Sequence, residues 1–275
     1  MDKFLDANKV KIGIIGVGMV GGALKKYFEK QGRELLLYDP GKKLGNLEEI
    51  NLANVVFICV PTPFDKDKGF NLSYVEESCR NLNGEKIIVV KSTVIPGSID
   101  ALQEKHPQHK FLFNPEFLTE ATAQKDMENP VRQILGYTRQ SRSVAEIIMR
   151  LLPRAEFEEI IPAKAAEMVK YFSNTWYATK VIFANQMYEL CEKIGVDYEI
   201  VRKCAAADKM IGPSHLDVRH KGYFGYGGKC LPKDIRALIE FADKNGVNLR
   251  LHKVVEEINS ELIKKQGIKE EVINK

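Results

Sequence analysis

The stretch Gly222-Tyr-Phe-Gly-Tyr-Gly-Gly-Lys-Cys-Leu-Pro-Lys-Asp234 sets a thiol where it could react. Its four glycines within seven residues allow unusual backbone angles and close approach of a ligand. Pro232 suits the first turn of a helix over Lys233–Lys244. Cys230 then falls at a helix N-terminus between Lys229 and Lys233, where positive charge and the helix dipole stabilise a thiolate. Asp234 follows within a turn and could orient a water or hold a lysine. The ordinary fate of a cysteine is burial as a small apolar residue. Cys59 in a strand and Cys79, Cys191 and Cys204 in helices fit that fate, and Cys230 does not.

A second group of residues suits phosphate. Lys11-Ile-Gly-Ile-Ile-Gly16-Val-Gly18-Met-Val-Gly21 reads as a strand running into a GxGxxG turn, with a helix after it. Gly16 makes the tight turn, Gly18 lets backbone approach a pyrophosphate, and Gly21 permits close helix–strand packing. With Met19 and Val20 they present a helix N-terminus to the phosphates. Asp39 follows the strand Leu35–Tyr38, where a carboxylate accepts from ribose hydroxyls and repels a 2′-phosphate, favouring NAD over NADP. The competing reading is a ligand-free glycine turn with Asp39 capping a loop.

Three further strands end in polar loops. Val55–Val60 runs into Pro61-Thr62-Pro63, Ile87–Val90 into Lys91-Ser92-Thr93, and Phe111–Phe113 into Asn114-Pro115-Glu116-Phe117-Leu118-Thr119-Glu120. Each alone is ordinary turn chemistry. Together, at one edge of a sheet beside a dinucleotide turn, they predict a cleft.

The elements that must carry these residues fall into two textures. Up to Pro162, short Val/Ile/Phe runs with little alternation are the pattern of parallel strands covered on both faces. This half reads as a doubly wound α/β domain, 1–162. From Ala163 to Ile194 there is neither proline nor glycine, which predicts one long helix opening a helical domain, 163–275. Tyr198–Ala207, Lys233–Lys244 and Leu251–Lys265 read as its other helices, and the charged tail after Gly267 as frayed. The long helix is apolar nearly all round, which predicts burial, here between two copies of the chain as a homodimer. Lys170 and Asn174 stand on one of its faces with Glu167, and Asn185 lies further along the same side. A buried ammonium must be paired or functional. A Glu167–Lys170 surface pair would explain the same residues.

Composition narrows the classes. The chain has 275 residues, 44% hydrophobic and 28% charged, which excludes an intrinsically disordered chain. A net charge of +4 leaves no electrostatic footprint for nucleic acid. No apolar run reaches the roughly 20 residues that span a bilayer, and Met1 to Lys11 lacks the apolar core of a signal peptide. Five cysteines without paired spacing, and no zinc-type spacing, point to free thiols in the cytoplasm and to no metal site.

Taken together, these residues resemble the UDP-glucose/GDP-mannose (nucleotide-sugar) dehydrogenase family, collinearly from about Lys11 to Asn259. The carriers are Gly16-Val-Gly-Met-Val-Gly21, Cys59-Val-Pro-Thr-Pro63, Lys91-Ser-Thr-Val94, Asn114-Pro-Glu-Phe-Leu118, Lys170 with Asn174, and Gly225-Tyr-Gly-Gly-Lys-Cys-Leu-Pro-Lys-Asp234. The resemblance implies oxidation of a sugar C6 alcohol to a carboxylate, with two hydrides passed to NAD in turn. Cys230 would capture the aldehyde, giving a thiohemiacetal and then a thioester. Lys170 and Asn174 would stabilise negative charge on the substrate oxygen. Asp234, Glu116 and Thr93 would position water and relay protons. Pro61, Thr62, Thr93 and Glu120 would line the nicotinamide side, and Glu116, Phe117, Leu118 and Gly227 would contact the UDP- or GDP-sugar.

Departures from the family pattern are also present. Relatives carry a third, nucleotide-gripping domain where this chain stops. Met210 stands where an arginine is expected to reach a neighbouring subunit's substrate, and Ile95 replaces a common proline. Other readings of the same residues are a single-hydride β-hydroxyacid-type dehydrogenase with no use for Cys230, an NAD-holding dimeric module of impaired activity, and a fragment of a longer chain.

Overall fold

The computed structural model describes residues 10–65, 69–219 and 221–268. The charged tail expected to fray lies, past Ile268, outside the described residues. The chain divides into two compact units, 1–170 and 171–275.

In the first unit the elements run β1 (Ile12–Ile15), α1 (Met19–Lys30), β2 (Leu35–Tyr38), α2 (Leu47–Ile50) and β3 (Val55–Ile58). A small hairpin of β4 (Phe64–Asp65) and β5 (Gly69–Phe70) follows, then α3 (Ser73–Arg80), β6 (Ile87–Val90), α4 (Ser98–Lys105) and β7 (Lys110–Phe113). After these come α5 (Ala123–Glu128), β8 (Arg132–Tyr137), α6 (Arg142–Leu151) and β9 (Phe157–Pro162). The large sheet has seven strands in the order β2-β1-β3-β6-β7-β8-β9. The first five are parallel, which is the expected α/β Rossmann-type arrangement. The chain then reverses: β8 pairs antiparallel to β7, and β9 parallel to β8.

Alternate strand residues feed two cores. Ile12, Ile14, Val55, Phe57, Val89 and Leu112 pack with Leu24 and Phe28 of α1 on one face. Ile15, Val56, Ile58, Ile88, Val90, Phe111 and Phe113 pack with Val75 and Ile99 on the other. Burial of both faces is why these strands are uninterrupted apolar runs.

Two expected strands, Leu35–Tyr38 and Ile87–Val90, have the bounds read from sequence, and the other three shift by one or two residues. β3 stops at Ile58 because Pro61 and Pro63 cannot continue a ladder. β8 and β9 were not anticipated. β9, at the sheet's edge, exposes Phe157, Glu159 and Pro162 and carries Glu158 and Glu159, so it lacks the apolar run of its neighbours.

The long helix α7 runs Ala163–Ile194, as expected, and begins directly after β9. Gly195, at φ +72°, ends it. The second unit continues with α8 (Tyr198–Ala206), α9 (Leu231–Lys244) and α10 (Arg250–Lys265). Its core includes Ala178, Val181, Ile182, Tyr226, Ile235 and Val255. α9 starts two residues earlier than expected, which makes Cys230 its N-cap residue. Within a single copy of the chain α7 is not covered all round. Phe172 is 74% exposed, Trp176 55%, Phe183 61% and Leu190 52%. Among the described residues, no helix is long and apolar enough to cross a membrane.

Candidate active site

The glycine turn is built for close approach. Gly16 lies at φ +85°, and a Cβ on Gly21 would sit 1.9 Å from the Gly16 carbonyl oxygen, so α1 can leave β1 at this distance only as glycine. A Cβ on Gly18 would meet nothing within 4 Å, so this side of the turn is open. α1 starts at Met19 with no side-chain cap and no acidic residue in its first turn, which leaves its positive end available to an anion. Met19 is exposed and Val20 half-buried. Asp39, at the end of β2, accepts from the Val17 N–H at 2.8 Å and the Lys42 N–H at 3.1 Å. Lys42 Nζ in turn donates to the Val17 carbonyl at 2.6 Å. The carboxylate caps the next turn and is fastened to the glycine turn, which is the loop-capping reading of Asp39. Open glycine backbone, an unneutralised helix end and a carboxylate at the next strand end fit a dinucleotide.

β3, β6 and β7 are adjacent and parallel, so their three polar loops share one sheet edge, as the sequence predicts. The Thr62 hydroxyl donates to the Thr93 carbonyl at 2.7 Å, and the Ser92 hydroxyl to the Val60 carbonyl at 2.7 Å. These bonds stitch the Pro61–Pro63 loop to the next one. In the third loop, Glu116 is buried and Phe117 and Leu118 half-buried, while Glu120 is exposed at the start of a short 3-10 turn.

Lys170 reaches Glu116 from α7. Its Nζ donates to Glu116 Oε1 at 2.8 Å and to the Glu116 carbonyl at 2.7 Å, and Glu116 Oε2 accepts from the Leu118 N–H at 2.8 Å. Burial works to raise the Glu116 carboxyl, but the charge and hydrogen bond of Lys170 outweigh it and hold the group below the usual carboxylate range. Phe117 lies near two cations, with Arg132 3.8 Å and Lys170 5.8 Å from its ring centre.

The alternative of a Glu167–Lys170 surface pair is not what the structure holds. Glu167 is wholly buried and accepts from the Gly97 N–H at 2.5 Å and the Ile99 N–H at 2.9 Å, at the start of α4. Burial pushes its carboxyl up to about 7 against those two donors.

Lys91, part of the Lys91-Ser-Thr-Val94 motif, is a further group of chemical interest. Lys91 is buried at the end of β6, and its Nζ hydrogen-bonds to Asn114 Oδ1. Burial brings this ammonium down to about 8. The signal is in the sequence, where a lysine directly follows the four apolar residues Ile87–Val90. Cys59, by contrast, is pushed up to about 12 by burial and is inert as a thiolate.

In the second unit Cys230 is exposed at the N-cap of α9. Asp234, in the first turn of that helix, is wholly buried. It accepts from Asn174 Nδ2 at 2.5 Å and from Lys233 Nζ. Asp234 thus holds a lysine, as one reading allowed, and it also orients the Asn174 amide. Asn185 is buried and accepts from the Gly225 N–H, and Gly227 is half-buried in the same loop. Met210, where an arginine was expected, is 95% exposed.

An α/β unit that fits a dinucleotide is thus followed by a helical unit that presents a thiol at a helix N-terminus. Comparison with known proteins gives the family. Residues 45–153 match the NAD binding domain of the UDP-glucose/GDP-mannose dehydrogenase family, and residues 164–261 match its central domain. The chain belongs to the UDP-glucose/GDP-mannose dehydrogenase family. The glycine turn lies ahead of the matched segments, so its reading rests on the geometry above.

A UDP-glucose 6-dehydrogenase of Rickettsia bellii is 36% identical over 224 residues, covering 78% of this chain and 51% of the relative. The chain spans about half the length of the curated relatives it matches. Among solved structures, a UDP-glucose dehydrogenase from Pyrobaculum islandicum superposes with a TM-score of 0.81 at 25% identity, over 96% of this chain and 73% of that one. A 3-hydroxyisobutyrate dehydrogenase of Mycobacterium tuberculosis shares the fold at 14% identity, with a TM-score of 0.71 over 93% of this chain and 94% of that one.

Proposed function

We propose that the chain carries the NAD-binding and thiol-bearing parts of a nucleotide-sugar 6-dehydrogenase, which oxidises the C6 alcohol of a UDP- or GDP-sugar to a carboxylate in two steps. The observation that carries this reading is Cys230, exposed at the N-cap of α9 behind a glycine-rich loop. A fold shared with 3-hydroxyisobutyrate dehydrogenase does not by itself select two oxidations. A single-hydride dehydrogenase has no use for a nucleophile at Cys230.

NAD, when bound, accepts the hydride of each oxidation, and Gly16, Gly18, Met19, Val20, Gly21, Asp39, Pro61, Thr62, Thr93 and Glu120 would hold it. Lys170 and Asn174 donate hydrogen bonds to the substrate oxygen as negative charge grows on it. After the first oxidation the Cys230 thiolate adds to the aldehyde carbon, and the oxygen takes up a proton. Loss of the second hydride and that proton leaves a thioester. Water, positioned by Asp234, Glu116 and Thr93, adds to the thioester carbon. The C–S bond then breaks, releasing carboxylate and restoring the thiol. Phe117, Leu118 and the backbone at Gly227 would contact the sugar nucleotide.

The exposed stripe of Phe172, Trp176, Phe183 and Leu190 supports a homodimer formed through α7. Five free cysteines support a reducing, cytoplasmic setting.

Intact-mass analysis of Glu116→Gln during turnover tests the chemistry. With NAD and UDP-glucose, GDP-mannose or UDP-N-acetylmannosamine, slowed hydrolysis should leave an acyl adduct on the Cys230 peptide. Turnover without an adduct, and at the wild-type rate in Cys230→Ser, would overturn the thioester reading.

A further inference from the structure

The glycine-rich stretch before Cys230 is held by side-chain amides from α10. Gln266, the C-cap residue of α10, accepts from the Phe224 N–H at 2.9 Å and donates to the Phe224 carbonyl at 3.0 Å. Asn259 does the same two turns earlier. Its Oδ1 accepts from the Tyr226 N–H at 2.7 Å, and its Nδ2 donates to the Tyr226 carbonyl at 3.1 Å. Alternate residues of the stretch therefore receive from a helix the donor and acceptor that a neighbouring strand would supply. Between them the Gly225 N–H donates to Asn185 Oδ1 at 3.3 Å. A Cβ on Gly225 would lie 2.6 Å from Asn259 Oδ1, so the amide can approach only a glycine here, at φ +86°. The Tyr226 hydroxyl donates to Glu256 Oε2 of α10 at 2.6 Å, and Glu256 also accepts from Arg236 of α9. The loop that leads to Cys230 and the helix that Cys230 caps are thus both fastened to α10.

We propose that Asn259 and Gln266 are positioning residues, which keep the Cys230 thiol at the α9 N-terminus by fixing the backbone of Phe224 and Tyr226. The proposal rests on the reading of Cys230 as the nucleophile. Its test needs no turnover, because Cys204, which the sequence assigns to burial but which is exposed, is an internal control.

Alkylation by iodoacetamide at neutral pH, followed peptide by peptide in the full chain, should modify wild-type Cys230 faster than Cys204. Asn259→Ala should slow Cys230 about tenfold, the factor carried by a buried hydrogen bond, with Cys204 unchanged. Gln266→Ala, at a half-buried position, should act in the same direction and decides the matter if Asn259→Ala does not fold. An unchanged ratio of Cys230 to Cys204 rates in the folded variant overturns the proposal. A wild-type Cys230 no faster than Cys204 overturns instead the reading of Cys230 as nucleophile, and the positioning role falls with it.

Discussion

Lys170 and Glu116 are each more than nine-tenths buried and meet at 2.8 Å. Such a pair adds little net stability against an apolar alternative, but removing one partner strands a buried charge. The Lys170 ammonium also gives up a hydrogen bond to the Glu116 carbonyl if it is lost, so the loop that carries Glu116 loosens with it. Lys170→Ala should therefore lower kcat by ~10²–10³, the range for deleting an oxyanion donor, and lower the melting temperature as well. Lys170→Met keeps the bulk and should recover part of the stability without recovering kcat. Steady-state kinetics beside thermal melts separate the two effects. The candidate lysine was legible in the sequence as a charge on an apolar helix, but its partner was not. Glu167 stands one turn away on the same helix, whereas Glu116 is distant in sequence. Only the fold of the first unit, which takes in the start of α7 up to Lys170, sends Glu167 to the start of α4 and Lys170 to Glu116.

At the scale of elements, uninterrupted apolar runs made β1, β2, β3, β6 and β7 readable. β8 and β9 escaped because Arg132, Gln133, Glu158 and Glu159 break their patterns. The β1–α1 turn was readable because steric need shows directly as glycine. Gly21→Ala forces a Cβ to within 1.9 Å of the Gly16 carbonyl, and backbone there cannot yield cheaply. It should weaken NAD binding by at least about tenfold in a fluorescence titration.

The buried Glu167 carboxyl predicts a pH dependence of stability. Its folded value of about 7 lies above the ordinary 4.5, so the folded state favours the protonated form. The stability this group contributes is therefore present below about 4.5 and is lost as pH rises through about 7. The swing is ~3 kcal/mol from the size of the shift. Denaturant melts of Glu167→Gln should lack this component, so its stability relative to wild type should rise across that window. A constant difference between the two proteins at all pH values would contradict the assignment.

For the whole molecule, Trp176, Phe183 and Leu190 repeat at heptad spacing along α7, and all are exposed. Such a seam is the pattern by which helices of two chains pair. The proposed homodimer predicts that Phe183→Glu converts the protein to a monomer in light scattering at micromolar concentration, with its circular dichroism retained. A wild-type protein that is already a monomer there would remove the dimer from the account. The family could be read from the order of six motifs along the chain.

The central claim is that Cys230 turns one oxidation into two. The most direct measurement counts NADH formed per nucleotide sugar consumed, in the wild type and in Cys230→Ser. Two NADH per sugar in the wild type, with carboxylate as the product and its formation lost in Cys230→Ser, is the predicted result. One NADH per sugar, unaffected by Cys230→Ser, would contradict it and leave a single-hydride dehydrogenase.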